Sequence, residues 1–140
     1  MKRETEPAMI MKTEHSIGED GQHRIAIDGL RVWIFKDGDM WVAHGIDIDY
    51  VVSGETAAQA QEAFGFGLSM TLAENIRRFG SIERFISKRA PRDIEECWLA
   101  ERSKLKDETV PLRMSQAIGA PQEEFGVPPQ VHYFKEQRAA

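Results

Sequence analysis

His44, Asp47 and Asp49 bring an imidazole and two carboxylates within six residues, a donor set that divalent cations accept. In an extended segment Asp47 and Asp49 would share a face, and their carboxylates could meet one ion. The competing reading is a solvent-exposed loop whose aspartates start turns and whose histidine is incidental. That plainer reading is the one expected, because closeness in sequence without a further ligand is poor evidence for a metal. Adding Glu62 or Glu74 would sketch a two-metal nuclease. The carboxylates fall late in the strand region, however, and not in the middle of a first central strand. No catalytic residue, metal or cofactor is therefore expected, and a metal-dependent, RNase H-like nuclease stays as an alternative.

Cys97 is the one cysteine, so no intramolecular disulfide and no cysteine-based zinc cluster can form. Glu95, Glu96 and Trp98 surround it, a setting that does not activate a thiol, and a buried structural role is expected. Arg77, Arg78, Arg84, Lys88, Arg89 and Arg92 form the main basic concentration, where cations complement the end of a helix. Gly65-Phe66-Gly67 lacks the strand-to-helix context of a phosphate loop.

Trp33, Phe35, Trp41 and Tyr50 form the set that points to binding. Leu30, Val32 and Ile34 alternate with Arg31, Trp33 and Phe35, so both faces of that strand carry apolar side chains. One face should pack on a helix. The other needs a second cover: a partner, another protomer, a ligand or the C-terminal segment. Because aromatics are enriched in interface cores, Trp33, Phe35, Trp41 and Tyr50 are the candidate partner-binding residues.

The elements that would hold these groups follow from the pattern along the 140 residues, a length that suits one domain. Residues 1–22 are polar and turn-rich and read as a flexible leader. From Arg24 apolar residues alternate, with a turn at Asp28-Gly29 and a hairpin at Asp37-Gly38. Tyr50-Val51-Val52 is a further strand. Thr56 caps a long helix, with Gln59 completing a capping box. Ala60, Phe64, Leu68, Leu72 and Ile76 line its buried stripe, and Gly80 ends it. Gly65 and Gly67 within it imply that a neighbouring backbone comes close. Ser81 and Asp93 would cap two shorter helices, the second carrying Ile94, Cys97, Trp98, Glu101 and Leu105. Prolines then discourage long regular elements, and Val131–Phe134 suits a last strand.

The fold class is thus α+β: an antiparallel β-meander of three to four strands packed by one long α-helix, with an irregular helical C-terminal extension. The divisions expected are 1–22 leader, 23–90 α+β domain and 91–140 extension. Eighteen lysines and arginines against 23 acidic residues leave a net charge of −5, which argues against binding a phosphate backbone and suits a basic partner. No apolar run reaches the length of a bilayer span, and residues 1–7 do not resemble a secretory signal, so a cytoplasmic location is expected.

Asp37-Gly38-Asp39-Met40-Trp41-Val42-Ala43 followed by Gly54-Glu55-Thr56-Ala57 resembles the HicB-like antitoxins over about residues 24–80. The resemblance implies a partial RNase H-type fold and a toxin–antitoxin system, in which this chain masks a small basic ribonuclease. In place of the family's usual proline-containing segment stands His44-Gly45-Ile46-Asp47-Ile48-Asp49. No basic recognition helix occupies 93–140, so no direct DNA binding is expected. Self-association is expected for the same apolar face. A homo-oligomer that binds or sequesters a small molecule or nucleotide, using Trp33, Trp41 and Tyr50, is the other alternative.

Overall fold

A computed structural model describes residues 11–19, 21, 23–111 and 130–137. The described residues form an α+β fold with one mixed, open sheet. In chain order the elements are β1 (Lys12–Ile17), β2 (His23–Asp37), β3 (Met40–Gly45), β4 (Val51–Gly54), α1 (Ala57–Phe79), α2 (Glu83–Ile86), α3 (Arg92–Glu101), β5 (Leu105–Pro111) and β6 (Gln130–Glu136). The sheet order is β4-β3-β2-β6-β5, and β1 pairs with the first half of β2. The expected meander is present as β2, β3 and β4, antiparallel throughout. Its hairpin turns at Gly38, whose φ of 64° is one that glycine adopts without strain.

Beyond the meander the architecture departs from expectation. β6 lies parallel to β2 and is flanked by antiparallel β5. The extension expected from residue 91 is therefore half sheet, and it fills one side of β2. Leu105, placed on a helix by its spacing, instead opens β5. The leader expected over 1–22 contains β1, held by its ladder to β2 and not by apolar alternation. The turn expected at Asp28-Gly29 is a bulge inside β2: Asp28 faces Gln130 and Leu30 faces Val131, with Gly29 at φ 81° between them. Residues 112–129, and with them the prolines at 121, 128 and 129, lie outside the described residues.

α1 begins as its sequence dictates. The Thr56 hydroxyl accepts from Gln59 N at 3.1 Å, and the Gln59 side chain accepts from Glu55 N at 3.0 Å. Gly80 closes the helix at φ 71°, donating to Ile76 O. Its buried stripe, Ala60, Phe64, Leu68 and Leu72, packs on Leu30, Val32 and Ile34 of β2, Ala43 of β3, and Val131 and Tyr133 of β6. Each of the large side chains buried there contributes about 1.5–3 kcal/mol.

The glycines of α1 make room for tyrosines and not, as expected, for a backbone. A Cβ at Gly67 would overlap the Tyr50 hydroxyl, and one at Gly65 would touch the Tyr133 hydroxyl at 3.4 Å. Tyr50 cannot easily withdraw, because Phe64 and Phe85 contact its ring edge-to-face at 5.2 and 5.8 Å. Gly67→Ala should therefore destabilise by about 1–3 kcal/mol. In a Tyr50→Phe background the oxygen is gone and the helix gains about 1 kcal/mol from alanine, so the sign should reverse. A double-mutant cycle from urea midpoints checks this, and equal costs in both backgrounds would refute it.

Candidate functional site: the second face of the sheet

Alternation along the strands sends Arg31, Trp33 and Phe35 of β2, Val42 and His44 of β3, and Phe134 of β6 to the face opposite α1. Part of this face is covered in cis. Ile46, Trp98 and Phe134 form a small buried cluster, with Trp33, Ile94 and Leu105 packed against it. The Trp98 ring meets Phe134 edge-to-face at 5.0 Å, and the Arg31 guanidinium sits 4.9 Å from its centroid. The C-terminal segment thus supplies much of the cover that Trp33 needs.

Trp33, Phe35, Trp41 and Tyr50 are not brought together. Trp41 and Tyr50 pack from the α1 side against the main core. Trp33 and Phe35 lie on the second face with ring centroids 4.4 Å apart. Among the described residues the face around Phe35 remains open: Met40 is exposed, Val51 is 49% exposed, and Phe35 and Val42 are half-buried. The indole N–H of Trp33 is buried without a hydrogen-bond partner among the described residues, a costly state for a donor.

Asp47 and Asp49 diverge. Asp47 is 2% exposed. It accepts from Arg31 N and Nε at 3.0 Å each, and from Nη2 at 2.6 Å. Arg89 lies at 3.4 Å from the same carboxylate. Both arginines also donate to Glu95 of α3 at 3.1 Å. Asp49 instead meets His44 Nε2 at 3.2 Å. Glu62 and Glu74 belong to α1, which covers the opposite face of the sheet, and Glu74 is paired with Arg77 and Arg78. The carboxylates needed for a two-metal site are therefore on two sides of one sheet. Among the described residues no three His, Cys, Asp or Glu side chains gather as metal ligands.

The buried network went unseen in the sequence, although Ile46-Asp47-Ile48 held a clue: a carboxylate flanked by two isoleucines, which are buried with it, needs a cation such as Arg31 inside as well. Backbone hydrogen bonds complete the arrangement. Asp49 N donates to Lys88 O at 2.6 Å and Ala90 N to Ile46 O at 3.1 Å, so segment 88–90 clamps the 46–49 loop. The basic concentration serves structure: Arg89 enters this network, Arg84 stacks on Phe79 at 4.4 Å, and Arg92 pairs with Glu96. Cys97, expected inside, is exposed on α3, one position before the buried Trp98.

Partial burial opposes ionisation of Glu95, but hydrogen bonds and charge from Arg89 and Arg31 outweigh it and hold its carboxyl below the ordinary value of 4.5. A carboxylate whose folded pKa is depressed stabilises the fold above its unfolded pKa, and that stabilisation goes as the pH falls through the folded one. The wild-type protein should therefore lose stability below about pH 4.5 more steeply than Glu95→Gln. Urea midpoints at several pH values test this, and parallel curves would count against the network.

Among the described residues no helix is long and apolar enough to cross a membrane. Compared with family models, curated proteins and solved structures, the chain finds no match.

Proposed function

We propose that this chain is a non-catalytic protein-binding module, an antitoxin-type protein of the HicB-like kind that masks a small basic ribonuclease. The observation that carries the reading is the open part of the second face, where Phe35, Val42, Met40 and Val51 stay accessible beside the covered Trp33. An apolar patch beside aspartates is suited to a basic protein. The succession β2, β3, β4, capped α1, with Gly54-Glu55-Thr56 at the helix start, supports the HicB-like part of the proposal. Self-association over the same patch belongs to this reading as well.

The test is affinity purification of the tagged chain from its native cells at moderate salt, with mass spectrometry of what stays bound. The expected result is a stoichiometric small basic protein whose RNA cleavage stops when the chain is added back. Phe35→Ala, which leaves Ile46, Trp98 and Phe134 in place, should weaken that complex. Recovery of the chain alone as a defined homo-oligomer would overturn the antitoxin reading and favour a ligand-binding assembly.

A further inference from the structure

Among the described residues the sheet order ends on β4 at one side and β5 at the other, and the two edges differ in kind. β5 reads Leu-Lys-Asp-Glu-Thr-Val-Pro, with charges and a proline of the sort that blunts an edge against pairing. β4 reads Val-Val-Ser-Gly and carries none. Its pairing fixes which groups face outward. Tyr50 O accepts from Gly45 N, and Val52 and Gly54 face Ala43 and Trp41 in the same phase. Alternation then turns the N–H and C=O groups of Val51 and Ser53 away from β3. Segment 88–90, which clamps the preceding loop, bonds to Ile46 and Asp49 and stops short of them.

We infer that the outer edge of β4 receives an extended, lysine- or arginine-bearing segment of the protein partner, added to the sheet as a further strand. This rests on the protein-binding reading and names where and what it binds. Charge selects the occupant. Asp49 and Glu55 stand at the two ends of β4; Asp49 has His44 and segment 88–90 beside it, whereas no lysine or arginine occurs in sequence from Asp49 to Ile76, so Glu55 is the stronger of the two acidic ends. A second copy in the register that uses both outward residues fits poorly. Antiparallel pairing of two β4 strands through Val51 and Ser53 is centred on Val52, and it sets Asp49 against Glu55 of the other copy at both ends. Like charges directly opposed destabilise such a pair. A basic strand places cations there instead, and its apolar residues fall beside Val51.

Amide NMR of the whole chain tests this with two probes: a short synthetic peptide alternating lysine and valine, and its glutamate counterpart. In the free protein the Val51 and Ser53 amides should exchange rapidly. The lysine peptide should shift and protect them, and the glutamate peptide should not. Ser53→Pro removes an outward N–H at a position where a strand tolerates proline; it should keep a folded spectrum and lower affinity about tenfold. Glu55→Lys should lower it about threefold. Val51 and Ser53 amides already protected in the free protein, equal response to both peptides, no response, or shifts confined to β5 or to Phe35 would overturn the inference. If the basic protein of the preceding experiment is captured and the peptide is inert, the edge assignment alone falls. If the peptide docks on β4 and no basic protein is captured, the antitoxin reading alone falls.

Discussion

Asp47→Ala is expected to lower the free energy of unfolding by about 3–5 kcal/mol, the cost of removing one partner from a buried ion pair. The reason lies in what remains. Arg31, whose side chain is 11% exposed, would keep its charge inside the protein with Glu95 as its remaining partner, while three hydrogen bonds to Asp47 disappear. Asp47→Asn keeps an acceptor and should fall between the two. Asp49→Ala is the internal control: Asp49 has a 40% exposed side chain paired with His44, so its loss should cost less than about 1 kcal/mol. Urea unfolding of the three variants decides the matter. Equal midpoints for Asp47→Ala and Asp49→Ala would show that the network adds nothing to stability.

Trp98→Ala should cost a similar amount, about 3–5 kcal/mol, by opening a cavity in the small cluster on the second face. Trp98 is 1% exposed and lies between Phe134 and the guanidinium groups of Arg31 and Arg102. It is the one residue of α3 that is fully buried, so its truncation should loosen the helix and expose Trp33. A red shift of tryptophan emission before global unfolding would report this. Trp98→Phe should behave differently. The indole N–H is buried without a partner among the described residues, so phenylalanine loses volume but also removes an unsatisfied donor, and the net change should stay within about 1 kcal/mol. A Phe variant as unstable as the Ala variant would contradict this account.

What could be read in advance divides along physical lines. The α1 stripe, its Thr56 cap and its Gly80 terminator are signals written in local sequence, and each appears where expected. The hairpin at Asp37-Gly38 is equally local. β5 was illegible because Lys106, Asp107, Glu108 and Thr109 are all exposed, leaving no apolar period between Leu105 and Val110. β1 was hidden by the same lack of contrast, since ladder bonds, and not side-chain burial, hold it. Gly29 read as a turn because a bulge and a turn ask for the same positive φ. On the candidate site, alternation correctly set Trp33 and Phe35 opposite Leu30 and Val32. It did not show that Trp98 and Phe134, remote in sequence, would cover part of that face.

The place of β6 has a consequence for the chain as it is made. Lys36 N donates to Glu136 across a separation of 100 residues, and β6 fills the position between β2 and β5. Hairpins close in about 1–10 μs, whereas a ribosome adds roughly 5–20 residues per second. For several seconds of synthesis the meander and α1 can therefore exist with one side of β2 uncovered, before residues 130–136 arrive. Throughout that interval the nascent protein presents an open edge along its central strand. The same edge reopens in any product cut before residue 130, which would lose β6 from inside the sheet and with it the strand that β5 pairs to.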